Sequence, residues 1–104
     1  MFFSKSRSEK YLNKGIEKVN LKDYQGAIRD FSKAINLNRK NEDAFTKRGI
    51  VKFFLKDNQG AINDYSEALK LNPKNEISFF GRGHSKFNLK DYQGAINDYS
   101  EALK

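Results

Sequence analysis

Leu89 to Lys104 reads LKDYQGAINDYSEALK, and the reading of this stretch decides the fold. Leu55 to Lys70 repeats it with Asn58 in the place of Tyr92. Leu21 to Asn36 is a looser copy, LKDYQGAIRDFSKAIN. The copies begin at residues 21, 55 and 89, a constant offset of 34. A fixed period of that size marks an array of small identical units. Each unit buries only one or two helix faces and leans on its neighbours for the rest.

Working outward, each copy contains apolar residues at three- and four-residue spacing. In the first these are Ala27, Ile28, Phe31, Ala34, Ile35 and Leu37. That spacing predicts a helix with one buried face. Asp23, Asp57 and Asp91, the third residue of each copy, are good N-caps, each satisfying an otherwise free amide. The second copy closes on Leu71-Asn72-Pro73, and proline ends a helix because it has no amide hydrogen and clashes one turn back. Arg39 stands at the corresponding place in the first unit, where a less firmly set helix end is expected.

A second helix type lies between the copies. Its first example is expected from a Ser6 cap, with Glu9 at capping-box spacing, to about Leu21. The others start after Asn41 and Asn75, with Glu42, Asp43 or Glu76 in the opening turn, where the helix dipole favours acids. Gly15, Gly49 and Gly83 recur mid-helix. An interior glycine costs roughly 0.5–1 kcal/mol relative to alanine, so its recurrence predicts a close helix crossing. The organisation is a leader at 1–7 and helix pairs at 8–41, 42–75 and 76–104, the last short of a full period. The fold class is all-α, a stack of antiparallel helix pairs.

These residues resemble the tetratricopeptide repeat (TPR) family. The family's aromatic fourth position is Tyr11, Phe45 and Phe79, and its glycine is Gly15, Gly49 and Gly83. Its alanines are Ala27, Ala61 and Ala95, then Ala34, Ala68 and Ala102, with Phe31, Tyr65 and Tyr99 between them. The resemblance implies a right-handed α-solenoid superhelix that serves as a protein-interaction scaffold. It also exposes a departure. Where the family often has large apolar residues, this chain has Lys14 and Lys18, Arg48 and Lys52, Arg82 and Lys86. Asp30, Asp64 and Asp98 recur on the second helices, and the long basic stems are expected to lie along each pair with their heads on these acids. The repeated acids are read as cap and surface residues in structural service, not as catalytic pairs.

The first helices carry a second apolar stripe: Leu12, Ile16 and Val19; Thr46, Ile50 and Phe53; Phe80, His84 and Phe87. Their spacing places them on one face. By resemblance that face lines a concave groove that holds a protein or peptide partner. The same stripe would also serve to pack within the bundle or against a neighbouring molecule, and periodicity alone does not separate the two. Some family members grip a chaperone's C-terminal carboxylate with Lys, Asn and Arg. The matching positions here are Leu12, Ile16, Lys47, Ile77 and Gly81, so this clamp is not expected.

A self-association edge is expected on the last helix at Ala95, Ile96, Tyr99, Ala102 and Leu103, where no further unit covers the apolar face. A homodimer through that end is the alternative reading. Nucleic-acid binding is a third. The chain has 20 Lys plus Arg, a net charge of +7 and 13% aromatics, and aromatics in a basic groove stack bases. The basic residues are spread over all faces rather than gathered on one, which argues against it.

Hydrophobic residues are 38% and charged residues 32%, enough for a modest core. The absence of cysteine excludes a disulfide framework and a thiolate metal site. His84 is the sole histidine, with no second ligand or nucleophile signalled. No phosphate loop or catalytic motif is present, so neither an enzyme, a cofactor nor a metal is expected. No apolar run approaches the roughly 20 residues that span a bilayer. A soluble protein is expected, by default cytoplasmic, with secretion open for a piece of a longer chain.

Overall fold

The structure, a computed structural model, describes residues 2–104, the side chains of Phe2 and Ser4 excepted. Its elements are α1 (Phe2–Asn20), α2 (Tyr24–Leu37), α3 (Glu42–Phe54), α4 (Asn58–Leu71), α5 (Glu76–Asn88) and α6 (Tyr92–Ala102). Successive helices form the pairs α1–α2, α3–α4 and α5–α6, stacked into a body of 42 × 27 × 18 Å.

The caps explain where the helices begin. The Asp23, Asp57 and Asp91 carboxylates accept from the amides of Gly26, Gly60 and Gly94, each at 3.0 Å. Asn41 and Asn75 do the same for Ala44 and Ser78. The helix expected after Ser6 begins at Phe2 instead, and only Met1 of the expected leader lies outside the described residues. Nothing in this stretch stops a helix, and each added residue gains a hydrogen bond. Ser8, near the expected start, is buried and donates to the Ala34 carbonyl at 2.7 Å. The end of α2 before Arg39 has the same shape as the end of α4 before Pro73. Asn38 and Asn72 adopt nearly the same extended backbone, with φ of −148° and −143°, so proline is not what sets this end.

The ends of the first helices use a device the sequence hides. Lys22, Lys56 and Lys90 have φ of 62°, 66° and 67°, the left-handed region. There the Lys22 amide donates to Val19 and the Asp23 amide to Lys18, and the other two units repeat both bonds. These paired bonds satisfy the last carbonyls and reverse the chain. A side chain in this conformation costs on the order of 1 kcal/mol, the place where glycine is usual.

The core runs between the helix pairs. Phe31, Ala27, Ala34, Phe45, Ala44 and Val51 are buried together, with Leu12 beside them. The predicted close crossings are present. A Cβ on Gly15 would collide with the Phe31 ring, one on Gly49 would sit 3.0 Å from Tyr65, and one on Gly83 2.7 Å from Tyr99.

The acids of the second helices form a ladder through this core. The Arg48 guanidinium forks onto Asp64 with bonds of 2.8 and 2.7 Å, and Arg82 forks onto Asp98 at 2.9 and 2.8 Å. Lys52 and Lys86 add a second cation to each, at 3.1 and 3.0 Å. Lys18 stands 2.8 Å from Asp30, paired by charge without hydrogen-bond geometry. The expected pairing is therefore present, with two corrections. Asp30, Asp64 and Asp98 are buried rather than on the surface. Lys14 does not join its acid but lies over the Tyr11 ring. Burial alone pushes the Asp98 carboxyl up; the hydrogen bonds and charges of Arg82 and Lys86 outweigh it and hold it below the usual carboxylate range.

Candidate partner-binding face

The face in question is built by α1, α3 and α5, which lie side by side because each second helix packs between successive first helices. Between α1 and α3 the surface dips into a hollow of about 240 Å³. Ile16, Val19 and Ile50 line it, with Lys47 at its edge and the core ring of Phe31 at its floor. A neighbouring hollow between α3 and α5 is more polar, with Thr46, Ile50, Ile77 and the acids Glu42, Asp43 and Glu76.

Not all of the expected stripe is on this surface. Leu12 and Thr46 belong to the interior. Leu12 joins the core cluster. The Thr46 hydroxyl donates to the Glu42 carbonyl, meets Ser78 Oγ at 3.2 Å and accepts from Asn75 Nδ2 at 3.1 Å, so it fastens α3 to α5. Ile16, Val19, Ile50 and Phe53 are half-buried, and Phe80, His84 and Phe87 are exposed. Exposure therefore rises from α1 toward α5.

The α5 end of the face is aromatic. The Phe53 ring lies 6.1 Å from His84, and His84 lies 5.3 Å from Tyr99, edge-on. His84 Nδ1 and the Tyr99 hydroxyl are 2.6 Å apart. Phe80 packs 6.3 Å from Tyr99, and Phe87 5.4 Å from Tyr92. Burial raises the Tyr99 hydroxyl above the ordinary tyrosine range. Aromatic rings held in this way offer large apolar area at little cost in ordering.

Of two further neighbours of this face, sequence reasoning named Ile77 only as a clamp position and missed Phe54. Ile77 is exposed and lies three residues before Phe80, on the same helix side, so its spacing held the signal. Phe54 is exposed beside Phe53, and its ring sits 6.4 Å from Tyr24 of the preceding pair. No spacing rule within one helix points to that contact. On α6, Ala95 and Ala102 of the expected association edge are buried within their own helix pair, whereas Ile96 and Leu103 are exposed.

Residues 8–41 and 42–75 each match the tetratricopeptide repeat family, about two thirds of the chain. With the six-helix stack, this makes the chain a member of that family: an all-α solenoid of the protein-interaction class, its third repeat incomplete. The search of curated proteins found no match. Among solved structures, the TPR domain of Arabidopsis OM64 superposes with a TM-score of 0.94 at 27% identity, over 96% of this chain and 83% of that one. The first TPR domain of Spaghetti (RPAP3), bound to the HSP90 peptide SRMEEVD, gives 0.93 at 25% identity, over 95% and 79%. The second TPR domain of the same protein, with the same peptide, gives 0.93 at 19% identity over 95% and 92%, a likeness of fold alone. Among the described residues, no helix is long and apolar enough to cross a membrane.

Proposed function

We propose that this chain is a scaffold that holds a protein or peptide partner on the face of α1, α3 and α5, with no catalytic step of its own. The observation that carries this reading is the apolar hollow of Ile16, Val19 and Ile50 continuing into exposed Phe80 and Phe87. Apolar surface gathered on one face and rimmed by polar groups marks an interaction site. The peptide-bound RPAP3 domains support a peptide as the partner class. Residues Ile16, Val19, Ile50, Phe53, Phe80, His84 and Phe87 would supply the contacts. Leu12 and Thr46 would support them from beneath.

The partner is read through apolar contact rather than through an anionic terminus. Of Leu12, Ile16, Lys47, Ile77 and Gly81, only Lys47 is a cation. Five of the twenty basic residues, Lys18, Arg48, Lys52, Arg82 and Lys86, are engaged with buried acids, which weighs against a nucleic-acid reading.

The test is capture of partners from the native host on the immobilised chain, compared with Phe53→Ala and Phe87→Ala. Both variants should lose capture while far-ultraviolet circular dichroism stays unchanged. SRMEEVD peptide should bind no better than its scrambled sequence. Undiminished capture together with a large fall in melting temperature would return these residues to the core and refute the reading.

A further inference from the structure

Phe31, Tyr65 and Tyr99 hold the same place on α2, α4 and α6, 34 residues apart. Fifteen residues before each, on the preceding first helix, stand Ile16, Ile50 and His84. The three pairs differ in polarity. Phe31 has no hydroxyl, and Ile16 offers nothing to one. The Tyr99 hydroxyl has His84 Nδ1 at 2.6 Å. Tyr65 carries a hydroxyl too, but its counterpart Ile50 has no polar side-chain atom. Tyr65 is 2% exposed, and its hydroxyl has no hydrogen-bond partner among the described residues. Unlike the Ser85 hydroxyl, which is wholly enclosed, it keeps a small opening to the surface.

Gly81 sets the direction of that opening. A Cβ there would collide with the Tyr65 ring carbon that bears the hydroxyl, and would stand 2.6 Å from the oxygen. Gly81 holds the place on α5 that Lys47 holds on α3, and Lys47 lines both hollows of the candidate face. Ile77, one turn before Gly81, lines the hollow between α3 and α5. The missing side chain therefore brings the Tyr65 hydroxyl up to this face from beneath. It also leaves room for another main chain to come close to α5, a common use of glycine.

A nearly buried hydroxyl without a partner is unfavourable, so an acceptor brought to it gains more than one offered on open surface. The surroundings select a neutral acceptor. Glu42, Asp43 and Glu76 line the hollow against Lys47 and Lys74, so an anion meets no excess of positive charge. Ile50 and Ile77 make the rest of this part apolar.

We propose that Tyr65 is a specificity-determining residue of the candidate face. Its hydroxyl donates past Gly81 to a backbone carbonyl of an extended partner peptide that lies along α5. The inference rests on the reading of this face as a peptide site and adds a polar point to it. Apolar contact lets a peptide slide, whereas one placed hydrogen bond fixes its register.

Tyr65→Phe removes the hydroxyl and nothing else, and buried Phe31 shows that the stack accepts phenylalanine at this place. The probe is a short fluorescein-labelled peptide, selected from a random display library on the intact chain and rejected by folded Phe53→Ala. Tyr65→Phe should weaken its binding by roughly three- to tenfold, the range for one neutral hydrogen bond, with the melting temperature unchanged or raised. A series of the same peptide with single amide-to-ester replacements then locates the acceptor, because an ester carbonyl accepts less well. One replacement should weaken binding to the native chain and cost nothing further on Tyr65→Phe. Equal binding of the peptide by the two chains overturns the inference and leaves the scaffold reading in place. A loss on Tyr65→Phe to which no ester replacement is coupled makes the effect one of packing, and also overturns it. Failure to select any peptide that needs Phe53 overturns both readings.

Discussion

Asp30 and Asp64 occupy the same place in successive repeats, yet they are held differently. Asp64 receives both arms of the Arg48 fork and the Lys52 ammonium. Asp30 has the Lys18 ammonium at 2.8 Å, and Lys14 has turned away to the Tyr11 ring. The difference follows from one residue type. Arginine presents a planar fork that meets a carboxylate twice and still has a donor left, which Arg48 gives to Ser32 across the seam. Lysine is a point charge that meets one acceptor at a time and is more strongly hydrated. Arg48 therefore ties three helices together, α2, α3 and α4. In the first pair Lys14 makes no such tie and lies over the Tyr11 ring instead.

The comparison breaks first at the acids themselves. Asp64→Ala leaves Arg48 and Lys52 facing the core without a counter-charge, and removing one partner of a buried pair costs about 3–5 kcal/mol. Asp30→Ala removes fewer bonds and should cost roughly half as much. Urea midpoints at constant m-value measure both. Equal losses would mean that the fork adds nothing beyond charge.

A repair should sharpen it. Lys14→Arg offers Asp30 a fork in the geometry of Arg48, which also keeps its contact over the neighbouring ring, at 5.9 Å from Phe45. A gain of about 1 kcal/mol is expected from the added charge-assisted bonds. A loss would show that the α1–α2 spacing differs from that of α3–α4. The same thermal measurements report it.

The smallest effect appears only in acid. Asp98 titrates below the usual carboxylate range when folded, because Arg82 and Lys86 outweigh its burial. The unfolded chain binds the proton first as pH falls, so the stabilisation is whole above the ordinary aspartate range. It drains away as pH falls through the lowered value. The stability difference between the native chain and Asp98→Asn should therefore shrink only below about pH 4. A difference that persists unchanged in strong acid would assign Asp98 a role other than charge pairing.

Much of this was legible from spacing. The period gave the pairs, the Asp and Asn caps gave the helix starts, and the recurring glycines marked where Phe31, Tyr65 and Tyr99 press in. The basic residues facing Asp30, Asp64 and Asp98 were legible as partners, but not the burial of those acids. The candidate face was legible only in outline. Leu12 and Thr46 share the period of Ile16 and Ile50 and yet lie inside, because a helix stripe about two residues wide meets both the core and the surface. Lys22, Lys56 and Lys90 gave no signal, since lysine is not a residue from which a left-handed backbone is read.

The sequence by itself determined the number of helices, their antiparallel pairing and their family, because these rest on local periodicity and caps. Tertiary structure alone decided which side of each amphipathic helix is covered and which is open. Burial is a property of what lies opposite, and the residue opposite Tyr65 is Gly81, on the next helix pair. For the same reason Ile35, Leu69 and Leu103 are near-equivalent in sequence, yet the first two are buried and the third is exposed.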